Sequence, residues 1–256
     1  MKTFRLILAS AAFFCGLLQA HAQYVPGSNF VNFFAGNSNF SARVETHLEY
    51  KGEKSSSVAK YSRSEGKFRI DLDVAKIKGK PFEPAEIRDA SIGLVGMFTQ
   101  QTLTNKPDPV IGGLLGKVTA IYRPDLKITY LIYPEIKSYV ELPANASATN
   151  AEPDYQTSIT ELGREVVDGH ACIKNTVTLT DKNGNVDEST VWNATDLNNF
   201  TVKMEARKQD FDAIVLFKDV SLKKPDDSQF EPPAGFKKYD VYIDMILEEL
   251  KKYWRR

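Results

Sequence analysis

The sequence is poor in the residues that metal and thiol chemistry require. Of 256 residues, two are cysteine and three are histidine. Cys15 lies in the apolar start of the chain, which leaves Cys172 alone in the remainder, so no intrachain disulfide can form there. No zinc-type spacing of cysteine or histidine occurs. There is no P-loop, no GxGxxG dinucleotide motif and no GxSxG elbow. An excess of one charge is also missing. Lysine plus arginine number 33 and aspartate plus glutamate 33, so electrostatics give no reason to expect a nucleic-acid partner. Past the first residues no apolar run approaches the ~20 needed for a membrane-spanning helix. These absences lead us to expect no cofactor, no metal, no transmembrane segment and no enzyme.

What is present begins with an export signal. Lys2 and Arg5 precede an apolar stretch from Leu6 to Leu18, and Ala20-His21-Ala22 supplies small residues before a cut at Gln23. Residues 1–22 are therefore expected to be a cleaved signal peptide, with the mature protein periplasmic or secreted. Phe13-Phe14 would crowd Cys15 as a lipidation site. The remainder carries 31 lysines and arginines (33 less Lys2 and Arg5) against 33 acids. Its length suits one large β domain or two small ones. Without disulfides it must be held by core burial, and a chain of this size buries about 70% of its unfolded surface.

Residues 23–39, rich in Gly, Asn and Ser, read as an N-terminal arm with a short docked piece at Phe33-Phe34. From Phe40 the pattern changes. Phe40, Ala42, Val44, Thr46, Leu48 and Tyr50 alternate with Ser41, Arg43, Glu45, His47, Glu49 and Lys51. Period two means a strand with one buried and one wet face. Phe68, Ile70 and Leu72 repeat the pattern, as do Phe200, Val202, Met204 and Ala206. Further strands are expected at 55–62, 117–123, 127–133, 136–142, 156–165, 171–180, 187–193 and 212–222. Lys182-Asn183-Gly184-Asn185 is a tight-hairpin signal. Arg123-Pro124-Asp125 and Tyr133-Pro134-Glu135 separate neighbouring strands. Such close spacing favours an antiparallel sheet, since parallel crossovers need a dozen or more residues.

Two regions break the β rhythm. Residues 84–103 place Ile87, Ser91, Leu94, Val95 and Phe98 at helical spacing, and Pro107 to Gly116 is apolar and glycine-rich. This segment reads either as a lid or as an ordinary connecting loop. At the C-terminus, Tyr239, Ile243, Ile246, Leu250 and Tyr253 form a helical stripe over 239–254. Asp240 and Asp244 lie at its start and Lys251, Lys252, Arg255 and Arg256 at its end, an order that suits the helix dipole. The expected class is mainly β (α+β). A curved antiparallel sheet or half-barrel fills 40–256, with the C-terminal helix and the helical or loop segment covering its concave face.

Candidate chemistry is sparse. His170 and Cys172 are two residues apart, and such residues of a strand point the same way. A nucleophilic cysteine also wants a close base and an oxyanion donor set, and nothing local supplies them. Asp181, Asn183, Asn185 and Asp187 resemble a calcium loop, but glycine falls at 184 instead of the sixth position and the twelfth is Trp192. A polar hairpin tip explains the run. His47 sits on the charged face of the first strand and reads as solvated.

The stretches KVTAIYRPDLKITYLIYPEIKSYVELP, TELGREVVDGHACIKNTVTLTDKNGN and STVWNATDLNNFTVKMEA, between 117 and 206, resemble an uncharacterised bacterial family of exported proteins, a domain of unknown function. That family is similar in fold to the lipoprotein carriers LolA and LolB. The resemblance implies a periplasmic setting, a curved open sheet plugged by helices, and an apolar cavity for acyl chains. No basic residue here matches those the carriers use to pass on cargo. The expected function is binding or carrying a hydrophobic, lipid or acyl-type ligand, with lining residues Val44, Leu48, Phe68, Ile70, Leu72, Ile128, Tyr130, Ile132 and Trp192. The alternative is an envelope protein–protein interaction or sensing module.

Overall fold

The structure, a computed structural model, describes residues 34, 36–79, 116–143, 156–208 and 210–254. The expected helical segment at 84–103 and the glycine-rich stretch after it fall almost wholly outside these residues. Thirteen strands occur in chain order: β1 (Asn39–Tyr50), β2 (Glu53–Ser64), β3 (Lys67–Asp73), β4 (Lys78–Gly79), β5 (Lys117–Arg123), β6 (Ile128–Tyr133), β7 (Ser138–Pro143), β8 (Gln156–Val167), β9 (His170–Thr180), β10 (Val186–Ala194), β11 (Phe200–Lys208), β12 (Phe211–Ser221) and β13 (Lys237–Tyr239). The α-helix α1 (Tyr242–Trp254) follows them.

All strands join one sheet in the order β13-β7-β6-β5-β3-β2-β1-β12-β11-β10-β9-β8, with β4 attached to β2. Every pairing is antiparallel except that of β13 with β7. The sheet is large, curved and open, since β13 ends one side and β8 the other. Chain connectivity demands the curvature. The strand order puts ten interstrand steps between β7 and β8, which in a flat sheet is about 48 Å. All ten pairings are antiparallel, so β7 ends at the opposite end of the sheet from the start of β8. The chain from Pro143 to Gln156 can reach only about 45 Å, so the sheet must bend to let it pass.

The alternation read in β1 is the alternation observed: Phe40, Ala42, Val44, Thr46 and Leu48 are buried, while their neighbours are half-buried or exposed. Sequence signals also place the hairpins. Asp181 accepts hydrogen bonds from the backbone N–H of Asn183 and Asn185 at 2.8 Å each, and Gly184 takes the positive φ (81°) that this turn between β9 and β10 needs.

Two coverings pack on opposite faces of β5–β7. Tyr242, Met245, Ile246 and Leu250 of α1 pack on Leu131, Tyr133 and Val140. On the other face Phe230 is fully buried against Ile121, Tyr130 and Ile132. Arg69 holds that covering segment by donating to the Gln229 carbonyl at 2.7 Å, and Arg123 by donating to the Phe230 carbonyl at 3.3 Å. Lys67 pairs with Asp227 at 2.6 Å. The helix starts later than expected. Tyr239 belongs to β13, and the buried stripe is Tyr242, Met245, Ile246, Glu249 and Leu250. Pairing of Lys237-Lys238-Tyr239 with Ser138-Tyr139-Val140 holds those three residues extended.

Candidate functional site

The strand register carries one face across the sheet. Antiparallel partners share a face, so each buried residue of β1 begins a row. Val44 pairs with Ala59, Ala59 with Leu72 and Leu72 with Val118. Ala42 leads through Tyr61, Ile70, Ala120 and Leu131 to Val140. Phe40 leads through Arg63, Phe68, Tyr122 and Thr129 to Leu142. In the other direction Thr46 leads through Val215 and Met204 to Val191, and Leu48 through Ala213 to Ala206. We call this the inner face. The helix α1 packs on it over β6 and β7, as Leu131 and Val140 belong to both.

Between β2 and β11 the inner face is apolar and low. Ala42, Ala59, Ala206 and Ala213 are all buried there among Val44, Leu48, Tyr61 and Val215. At one end four rings close the row: Phe34 lies 4.9 Å from both Phe40 and Phe200 and 5.4 Å from Phe217, centroid to centroid. Phe34 thus docks as expected of the N-terminal arm, while Phe33 falls outside the described residues.

Polar groups interrupt this surface. Thr46 and Ser57 face each other across β1 and β2, and neither buried hydroxyl has a hydrogen-bond partner among the described residues. Asp187 is buried with Lys208 Nζ 2.6 Å from its carboxylate. Burial pushes the Asp187 carboxyl up, and Lys208 pulls against it. Arg63 is only 7% exposed and no carboxylate among the described residues pairs with it. Burial lowers its hold on the proton.

Of the residues expected to line a ligand, the register places Val44, Leu48, Phe68, Ile70 and Leu72 together on the inner face. It places Ile128, Tyr130, Ile132 and Trp192 on the outer face, which corrects the expectation. Ile128, Tyr130 and Ile132 pair with Arg123, Ile121 and Thr119, on the side covered by Phe230. Trp192 pairs with Lys203 and Lys174, whose ammonium groups stand 4.2 and 5.0 Å from its ring centroid. Its Nε1 donates to Glu165. Arg63, Tyr61, Ala59 and Ala213 are inner-face residues that the sequence did not single out, while Ala42 and Ala206 were read only as the buried side of a strand.

The remaining candidates have other duties. Cys172 is buried, its Sγ lies 3.4 Å from the His170 carbonyl, and burial pushes its thiol up. The His170 ring turns instead to Asp196, with Nδ1 2.7 Å from Oδ2. A thiol so placed is not activated. Asp181 spends its carboxylate on the hairpin backbone and on Asn185 Nδ2 at 2.8 Å. No group of three or more metal-type ligands occurs among the described residues. At the sheet margin, β8 pairs among the described residues with β9 alone and leaves Ile159, Leu162 and Val166 at 67, 55 and 73% exposure.

Residues 115–201 match a family described as a domain of unknown function (DUF4412). That span overlaps the phrases on which the sequence resemblance rests. No curated protein matches the chain in sequence. Among solved structures, the lipoprotein LppX of Mycobacterium tuberculosis is 12% identical, with a TM-score of 0.37 over 80% of this chain and 93% of that one. LprF from Mycobacterium bovis is 14% identical, with a TM-score of 0.38 over 81% and 97%. A LolA superfamily protein from Nitrosomonas europaea is 11% identical, with a TM-score of 0.25 over 84% and 95%. No helix among the described residues is long and apolar enough to cross a membrane.

Proposed function

We propose that this is an exported, periplasmic protein that binds or carries a hydrophobic, acyl-type ligand on the inner face of its sheet. One observation carries the reading. The sheet is bent, and its inner face from β2 to β11 is an apolar strip floored by Ala42, Ala59, Ala206 and Ala213. Ala42 and Ala59 on the paired strands β1 and β2, and Ala206 opposite Ala213, keep this face low, and ligand sites are mostly apolar concavities with few placed polar groups. Val44, Leu48, Phe68, Ile70 and Leu72 form the lining in this proposal, within a domain of 40–256 that follows a leader of 1–22 and an arm of 23–39. Binding without catalysis fits the protonated, buried Cys172 thiol.

The test is native mass spectrometry of protein purified from the periplasm, followed by solvent extraction and lipid analysis. The expected result is a co-purifying acyl compound of defined mass, displaced by a fluorescent fatty-acid probe. Protein that is empty and also ignores the probe overturns the reading.

A second reading rests on β8. An exposed edge strand with Ile159 and Val166 uncovered is a template for strand addition by a partner protein. Photocrosslinking from position 166 in intact envelopes should then yield one discrete adduct. An uncrosslinked chain argues against it.

A further inference from the structure

The inner face carries one buried formal charge with no ionic partner among the described residues, at Arg63 of β2. Other buried or half-buried arginines are matched: Arg69 by Asp71, and Arg123 by Asp125 and Glu231. Arg63 has Phe40 on one side and Phe68 on the other, and its Nε is buried without an acceptor among the described residues. A guanidinium stays charged in proteins, and a buried charge left unpaired is costly enough that a counter-charge is normally found. Two hydroxyl-bearing residues share its row: Tyr122, and Thr129, whose Oγ1 also has no partner among the described residues. From Arg63 the inner face runs past Tyr61 and Ala59 to Ser57, a span of about 20 Å along the strand.

We propose that Arg63 receives an anionic head group, carboxylate or phosphate, of a single-chain amphiphile whose hydrocarbon tail lies along β1 and β2 over Ala59 and Ala42. This inference rests on the apolar-ligand reading above and adds the charge of the ligand to it. The guanidinium offers a planar fork of donors that matches either head group, and Phe40 and Phe68 exclude water from the pair.

The test uses full-chain protein exported by its own leader, delipidated, and titrated calorimetrically with palmitate, hexadecyl phosphate and methyl palmitate. An anion should bind at least about tenfold more tightly than the ester. Arg63→Gln should bring the anions to the level of the ester without weakening the ester. Arg63→Lys, which keeps the charge, should retain part of the preference. Palmitate alone favoured identifies a carboxylate head, and hexadecyl phosphate alone a phosphate head. Either result supports the assignment. Equal affinity of wild-type protein for all three overturns Arg63 as the head-group site and leaves apolar binding standing. That comparison needs no variant, so misfolding of Arg63→Gln cannot hide it. Binding of none of the three overturns both readings.

Discussion

Phe34 stacks on Phe200 with ring centroids 4.9 Å apart and planes inclined by 26°. The contact ties the start of the described chain to β11, at the closed end of the inner face. Phe34→Ala should lower stability by about 3–5 kcal/mol, the range for emptying a fully buried aromatic site. Urea unfolding followed by fluorescence measures it. An unchanged midpoint would mean that Phe34 is dispensable to the core.

Filling the alanine floor should block the ligand. Ala59 lies between Val44 and Leu72 on the inner face, and Ala59→Trp should reduce binding of a fluorescent fatty-acid probe by about tenfold or more. Trp192→Phe, on the outer face, should leave binding unaltered. The reverse pattern would move the ligand to the other side of the sheet.

Acid should loosen the junction of β13 and α1. The Glu248 carboxyl is held down at about 2, chiefly by Lys237, with Tyr239 and Lys252 assisting. A carboxylate pKa depressed on folding contributes stability above its ordinary value and loses it as pH falls toward the folded one. Glu248→Gln should therefore lower the melting temperature at neutral pH. The gap to wild type should narrow below about pH 5 and close near about pH 2. The pair is exposed, so high salt should shrink the neutral-pH gap as well. A gap that holds constant across this range refutes the ion-pair account.

Gly79 closes the short β4. Its φ is +86°, and a Cβ there would fall 1.9 Å from the Lys54 carbonyl oxygen. Gly79→Ala should break the pairing of Lys78-Gly79 with Ser55-Ser56, at about 1–3 kcal/mol. Hydrogen exchange should speed up around Ser55 and Ser56 while β1 stays protected. Unaltered exchange at both sites would show that the backbone relaxes at no cost.

Strand existence was legible because burial of one face imposes period two, and β1 shows it residue by residue. Which faces adjoin was not. In β6, Leu131 and Tyr133 meet α1 while Tyr130 and Ile132 meet Phe230, so both sets are apolar and neither is marked as inner. The pairing of β3 with β5 and of β5 with β6 settles it. Val191 and Trp192 pose the same ambiguity in β10, resolved by the lysines on either side of Trp192. Arg63 escaped notice because an arginine in a serine-rich strand reads as solvent-facing. Its burial comes from β1 and β3, tertiary neighbours that local pattern does not reveal. The three residues of β13 carry two lysines and gain their extended form from β7 alone.

The pairing of Val44 with Phe217 joins the first long strand to the last. During synthesis β1 emerges early and keeps one side bare until β12 has followed, so the middle of the sheet stays open until late. Contacts so distant in sequence form slowly, and meanwhile β1 offers a sticky ribbon to any passing chain. A holding chaperone would have its longest service at this seam, and a partly synthesised chain would be most prone to aggregate there.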